Sequence, residues 1–149
     1  MHAVCCADAG YTGAMTLFAT TRRPHDPTVV APDGSDVRVL LTLDRGGMAE
    51  FELAAGRVSA AITHRTVEEI WCVLEGRGEM WRRQASREEI VALEPGVCVT
   101  IPQGVHFQFR AVGDGPLRAL GVTMPPWPGA DEATVVTGPW TPTAIPSGR

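Results

Sequence analysis

The chain has 149 residues, 44% of them hydrophobic and 20% charged, which suits a single globular domain with a substantial core. Its net charge is −4 and its thirteen cations, all Arg, are scattered, which excludes a phosphate-reading surface for nucleic acid. No apolar run is long and uninterrupted enough to span a bilayer, so a membrane partner is not expected either.

Residues Met1 to Met15 read as a loose N-terminal tail. They lack the basic start and long apolar stretch of a secretory signal, so the expected address is the cytoplasm. Residues 16–124 read as a barrel of short strands. Val37–Leu43 and Met48–Leu53 are β-prone around Arg45-Gly46-Gly47, and Arg57–Thr63 follows a turn at Ala55-Gly56. Glu69–Leu74 ends at Glu75-Gly76-Arg77-Gly78 and leads into Glu79–Arg83, with Arg82, Arg83 and Arg87 at the solvated end of a hairpin. Ile90–Leu93, Val97–Ile101, His106–Ala111 and Leu117–Thr123 complete the series, each bounded by Gly/Pro turns. Ser86–Leu93 alone competes as a helix, and it lacks an apolar stripe. Many short strands and no long helix predict an all-β sandwich or barrel.

Residues 125–149 form a Pro-rich C-terminal arm. Its six prolines cannot donate to a ladder, which excludes a central strand. Free tails seldom keep Trp127 and Trp140, so the arm is expected to pack them on the barrel or on a second subunit.

The residue inventory narrows the chemistry. There is no Lys for a Schiff base and no Asn, and the one Tyr, Tyr11, lies in the tail. Proton transfer is left to His, Asp, Glu and Cys. Cys5 and Cys6 are adjacent, Cys72 and Cys98 stand singly in apolar runs, and no C-x-x-C occurs, so buried, reduced thiols are expected.

Two segments have a fixed spacing. Gly56 is followed by five residues, Ile62-Thr63-His64, four residues, Glu69, six residues and Gly76. Gly96 is followed by five residues, Pro102-Gln103-Gly104, two residues, Phe107, three residues and Ala111. Both spacings resemble the two signature motifs of the cupins, over roughly residues 35–124. The resemblance implies a double-stranded β-helix, or jelly-roll, barrel and a homodimer. It also implies that positions 62, 64, 69 and 107 converge inside, where metal-binding cupins carry three histidines and a glutamate. Here they are Ile62, His64, Glu69 and Phe107, with Ala111 at the family's Asn position.

Alternate strand residues share a face. If Glu69 faces inward, His64 and Glu69 form a catalytic pair in a pocket walled by Ile62, Trp71, Val73, Phe107 and Phe109. Such a pocket suits a small apolar or aromatic metabolite and proton-transfer chemistry of the isomerase, cyclase or lyase type. A non-catalytic ligand-binding or accessory protein is the reading from another class. A metal-dependent enzyme, such as a dioxygenase or metal-assisted lyase, would need a weakly held Zn, Fe, Mn or Ni on His64, Glu69 and His106. Without that ion, no cofactor is expected. Sugar epimerisation would need more hydrogen-bonding side chains than the pocket offers.

Overall fold

The computed structural model describes residues 15–144. The tail before Met15, with His2, Cys5, Cys6 and Tyr11, and the last five residues lie outside the described part. Eleven strands form: β1 (Val29–Val30), β2 (Asp36–Leu43), β3 (Gly46–Leu53), β4 (Ile62–His64), β5 (Glu68–Glu75), β6 (Gly78–Gln84), β7 (Arg87–Leu93), β8 (Cys98–Ile101), β9 (His106–Ala111), β10 (Leu117–Met124) and β11 (Ala133–Val135). They build two antiparallel sheets, in the orders β1-β2-β3-β10-β5-β8 and β11-β4-β9-β6-β7. Face to face, these sheets make the expected all-β jelly roll. Among the described residues no helix is long and apolar enough to cross a membrane.

Period-two alternation decides what faces the interior. In β5, Glu69, Trp71 and Val73 are buried while Glu68, Ile70 and Leu74 are exposed. In β10, Leu117, Ala119, Gly121 and Thr123 are buried. One end of the barrel is solid, filled by residues including Leu53, Val73, Met80, Leu93, Phe109 and Leu117. The motif glycines serve the corners. Gly76 sits at φ +84° where a Cβ would overlap the Pro116 carbonyl, a place only glycine fits.

Several expectations change. Of the strand expected over Arg57–Thr63, only its end is regular. The Ser59 hydroxyl takes the Phe109 N–H, and the Ser59 carbonyl turns to the Gln108 side chain, so the ladder breaks there. The strand expected at Ile90–Leu93 is found but is longer, since β7 starts at Arg87 and is held to β6 from Gly78↔Leu93 to Gln84↔Arg87. Cys72 and Cys98 are not buried. Because Trp71 and Val73 point in, Cys72 points out and is half-buried, and Cys98 opposite it is exposed.

The C-terminal arm packs on its own barrel. It adds β11 to the edge beside β4 and then crosses the outer face of the five-stranded sheet. Gln108, fully buried there, donates to the Ser59 and Trp140 carbonyls at 2.8 Å and accepts from the Trp140 N–H at 3.1 Å. Arg110 lies 4.3 Å over the Trp140 ring, and Thr143 bonds to the Val58 backbone. Gln108→Ala strands these buried partners, so we expect a loss of about 2–4 kcal/mol. A lower urea midpoint with unchanged slope would report it, and an unchanged midpoint would detach the arm from the fold's stability.

Candidate functional site

Strand β4 of one sheet ends at His64, and β5 of the other begins by carrying Glu69 inward. The short loop between them crosses from sheet to sheet, which sets the two side chains face to face. Glu132 of the arm pins that loop. Its carboxylate accepts from the Thr66 N–H (2.5 Å), the Thr66 hydroxyl (2.7 Å) and the Val67 N–H (2.6 Å). Burial alone would raise the Glu132 carboxyl, but these donors and the nearby His64 hold it below its ordinary value.

His64 and Glu69 sit at the inner end of a cavity of about 290 Å³. Ile62, Trp71 and Phe107 line it with them. So do Phe51, Val37, Val39, Asp33, Thr42 and Thr123, while Pro126 and Trp127 of the arm lie at its side. His64 Nδ1 lies 3.6 Å from Glu69 Oε1, and the side chains are 2% and 3% exposed. The imidazole is held edge-on between Phe107 (5.3 Å) and Trp127 (5.2 Å). Trp71 donates its indole N–H to the Glu69 carboxylate, and its ring stacks on Phe51 at 4.8 Å and meets Phe109 edge-on at 5.1 Å. A Cβ at Gly121 would lie 2.5 Å from the Phe51 ring, so a glycine there is what lets Phe51 lie flat on Trp71. Among the described residues His64 Nδ1 has no hydrogen-bond partner, a costly state for a buried polar atom.

Burial moves the two groups in opposite directions. Desolvation lowers the His64 imidazole from 6.5 to about 4, against a smaller opposing pull from Glu132. Desolvation raises the Glu69 carboxyl from 4.5 to about 7; the Trp71 bond opposes the rise and the Asp33 carboxyl adds to it. Asp33 is itself raised by burial, which outweighs the two bonds that its oxygen accepts from Ser35. At 3.6 Å the His64–Glu69 contact has ion-pair geometry, yet in weakly acidic solution both groups are neutral. We read it as a neutral acid–imidazole contact.

The cupin domain family model matches residues 49–123, from β3 to β10. The chain belongs to the cupin family. It is 30% identical over 103 residues to the uncharacterized protein MJ1618 of Methanocaldococcus jannaschii, covering 66% of this chain and 79% of that one. Among solved structures it is similar to BH2720 of Bacillus halodurans, with 23% identity, TM-score 0.57, and 72% of this chain and 79% of that one covered. It is also similar to the capsular polysaccharide assembling protein CapF of Staphylococcus aureus, with 18% identity, TM-score 0.61, and 76% and 35% covered. At these identities the solved structures speak for the cupin fold alone.

The cupin motif positions that would hold a metal offer two donors here. Ile62 and Phe107, at the other two, put hydrocarbon where ligands would stand. The substitute third ligand, His106, is corrected by the structure. It precedes the inward Phe107, so strand parity turns it to the outer face, 3.4 Å from Arg83. Among the described residues no three His, Cys, Asp or Glu side chains gather closely enough to hold an ion. The donor set does not fit a firmly held Zn, Fe, Mn or Ni, which as a rule needs three protein ligands.

Val73 and Phe109 share the inward face but do not line the cavity. They lie one step deeper along their strands, in the solid end of the barrel beneath Trp71. Sequence reasoning missed Asp33, Phe51, Thr123 and the covering role of Trp127. Asp33 lies in a turn, where no alternation marks direction, and Trp127 carried only the hint of an aromatic in a Pro-rich arm. Arg82, Arg87 and Glu89, on the β6–β7 hairpin, are spent on one another in ion pairs at 2.6 and 3.2 Å.

The opposed shifts set a pH test. Between 4.5 and about 7 the native Glu69 binds a proton that the unfolded chain has released, so its contribution to stability falls as pH rises. Between about 4 and 6.5 the unfolded His64 binds a proton that the native one lacks, so its contribution falls as pH drops. Where the windows overlap the slopes cancel. In Glu69→Gln only the His64 slope remains, so stability relative to wild type should climb by on the order of 3 kcal/mol between pH 4.5 and about 7, where the Glu69 slope is lost. Urea midpoints from pH 4 to 7.5 check this, and parallel profiles for the two proteins would refute it.

Proposed function

We propose that the cavity binds an uncharged or cationic, largely apolar or aromatic small molecule, and that Glu69 transfers a proton on it with His64 as hydrogen-bonding partner. The supporting observation is the buried pair, 3.6 Å apart, in an otherwise mostly apolar enclosure. A proton-transfer group works best with a pKa near the operating pH, and Glu69, at about 7, has one. Its carboxylate takes a proton from a carbon or oxygen of the substrate; its acid form returns one elsewhere, as an isomerisation, cyclisation or elimination requires. A neutral His64 offers one N–H donor and one bare nitrogen, so it polarises a substrate oxygen without bringing a charge into the pocket. The surrounding rings exclude water, which strengthens both interactions.

Charge narrows the ligand class. Among the described residues the ionisable groups lining the cavity are Asp33, His64 and Glu69, and no Arg reaches it. An anion would enter an enclosure holding acids and no counter-cation, at a steep desolvation cost.

A matched aromatic series tests the binding half. 4-Phenyl-2-butanone and 4-phenyl-2-butanol should raise the melting temperature by several degrees, and 3-phenylpropanoate should not. Exchange of the ketone's α-protons in D₂O, followed by NMR, tests the chemistry. Glu69→Gln should slow exchange by roughly 10²–10⁴-fold. His64→Ala should slow it less, and dialysis against EDTA should leave it unchanged. Binding without exchange would favour the non-catalytic accessory reading. Tight binding of the carboxylate would overturn the charge argument, and loss of exchange on chelation would restore a metal.

A further inference from the structure

The outer face of the six-stranded sheet carries two thiols that the cavity does not use. Cys72 on β5 and Cys98 on β8 are direct cross-strand partners. The Val73 N–H bonds to the Val97 carbonyl at 2.9 Å, one residue beyond each cysteine. That pattern marks Cys72–Cys98 as a non-hydrogen-bonded pair, where opposed side chains come closest. Cα atoms in such pairs are about 4.5 Å apart, inside the roughly 4.4–6.8 Å range that a disulfide spans. Both side chains leave the same side of the sheet, Cys98 exposed and Cys72 half-buried. Each thiol now bonds weakly to a local carbonyl, Cys72 to Val73 and Cys98 to Gly96, so no strong partner holds them apart.

We infer that Cys72 and Cys98 form a reversible dithiol–disulfide site, open to exchange with a small disulfide such as oxidised glutathione. Cys98, the exposed thiol, attacks first as its thiolate. One sulfur of the small disulfide leaves as a thiol and the other stays on Cys98 as a mixed disulfide. Cys72 then gives its proton to water and attacks the Cys98 sulfur, expelling the second small thiol. The protein loses two hydrogens and the small disulfide gains them. In the dithiol form the adjoining Cys98 thiol holds Cys72 above the ordinary thiol range, which keeps its thiolate scarce and leaves the first attack to Cys98.

The placement keeps oxidation apart from the core. The bond would form on the outside of the sheet, with Ile70, Leu74 and Thr100 around it, all exposed, and no buried side chain need move. It would tie the edge strand β8 to β5, the strand whose other face presents Glu69 and Trp71. Exposed disulfides are the readily reduced, regulatory kind, so the bond should open again in a reducing cytosol.

The full chain carrying Cys5→Ser and Cys6→Ser isolates the pair. After oxidised glutathione, denaturation and alkylation, intact mass should show both thiols lost, two hydrogens removed and no glutathione retained. A peptide map should link position 72 to 98, and dithiothreitol should restore both thiols. Adding Cys98→Ser should abolish the cross-link and leave Cys72 free or glutathionylated. Two thiols still fully alkylated, or a separate glutathione on each cysteine, would overturn the site. The same map on the unaltered chain guards against a folding effect of the serines.

Discussion

Trp71 is where the stability of this barrel and the chemistry of its cavity meet. Its ring lies flat on Phe51 and edge-on to Phe107 and Phe109, so it closes the solid end of the core. Its N–H is bound to Glu69, so the same side chain fixes the carboxyl that faces the hollow end. A buried aromatic with a polar handle can do both only if its strand faces inward at both residues, and the alternation of β5 ensures that. Glu69 is thereby held against a wall that cannot be remodelled without opening the core.

The electrostatics of the site follow from that confinement. A carboxyl and an imidazole placed side by side in water would form an ion pair. Here desolvation raises the acid and lowers the base until neither carries charge in weakly acidic solution. Where a metal-binding cupin would use cation charge to keep its glutamate ionised, this chain has Ile62 and Phe107. The replacement of two polar positions by hydrocarbon therefore turns a coordination site into a weakly polar enclosure whose acid titrates near neutrality.

The arm is part of the barrel rather than an appendage. Through Glu132 it pins the loop that sets His64 opposite Glu69, and through Trp127 it walls the imidazole. Through the Trp140 N–H it satisfies the side-chain oxygen of Gln108, a buried acceptor on the outer face whose amide nitrogen is also bound to the Ser59 carbonyl. A proline-rich segment can do this because it joins the sheet only at its edge, over the short β11, and elsewhere needs few ladder hydrogen bonds of its own.

Local pattern was enough to place most of the strands and turns and to say which residues of β5 and of β9 share a face. Those signals, the alternation of Trp71 with Cys72 or of His106 with Phe107, act between neighbours in the chain. From them the all-β class could be read, whereas the convergence of His64 and Glu69 was implied by motif spacings that resemble those of the cupins. How deep each inward residue lies was not legible. Val73 and Phe109 have the same parity as Trp71 and Phe107, yet only packing between the two sheets decides where the solid core ends and the cavity begins. Nor was the reach of Asp33 or Trp127 into that cavity visible, since both stand in irregular chain. Their positions are set by partners distant in sequence, and only the closed barrel brings such partners together.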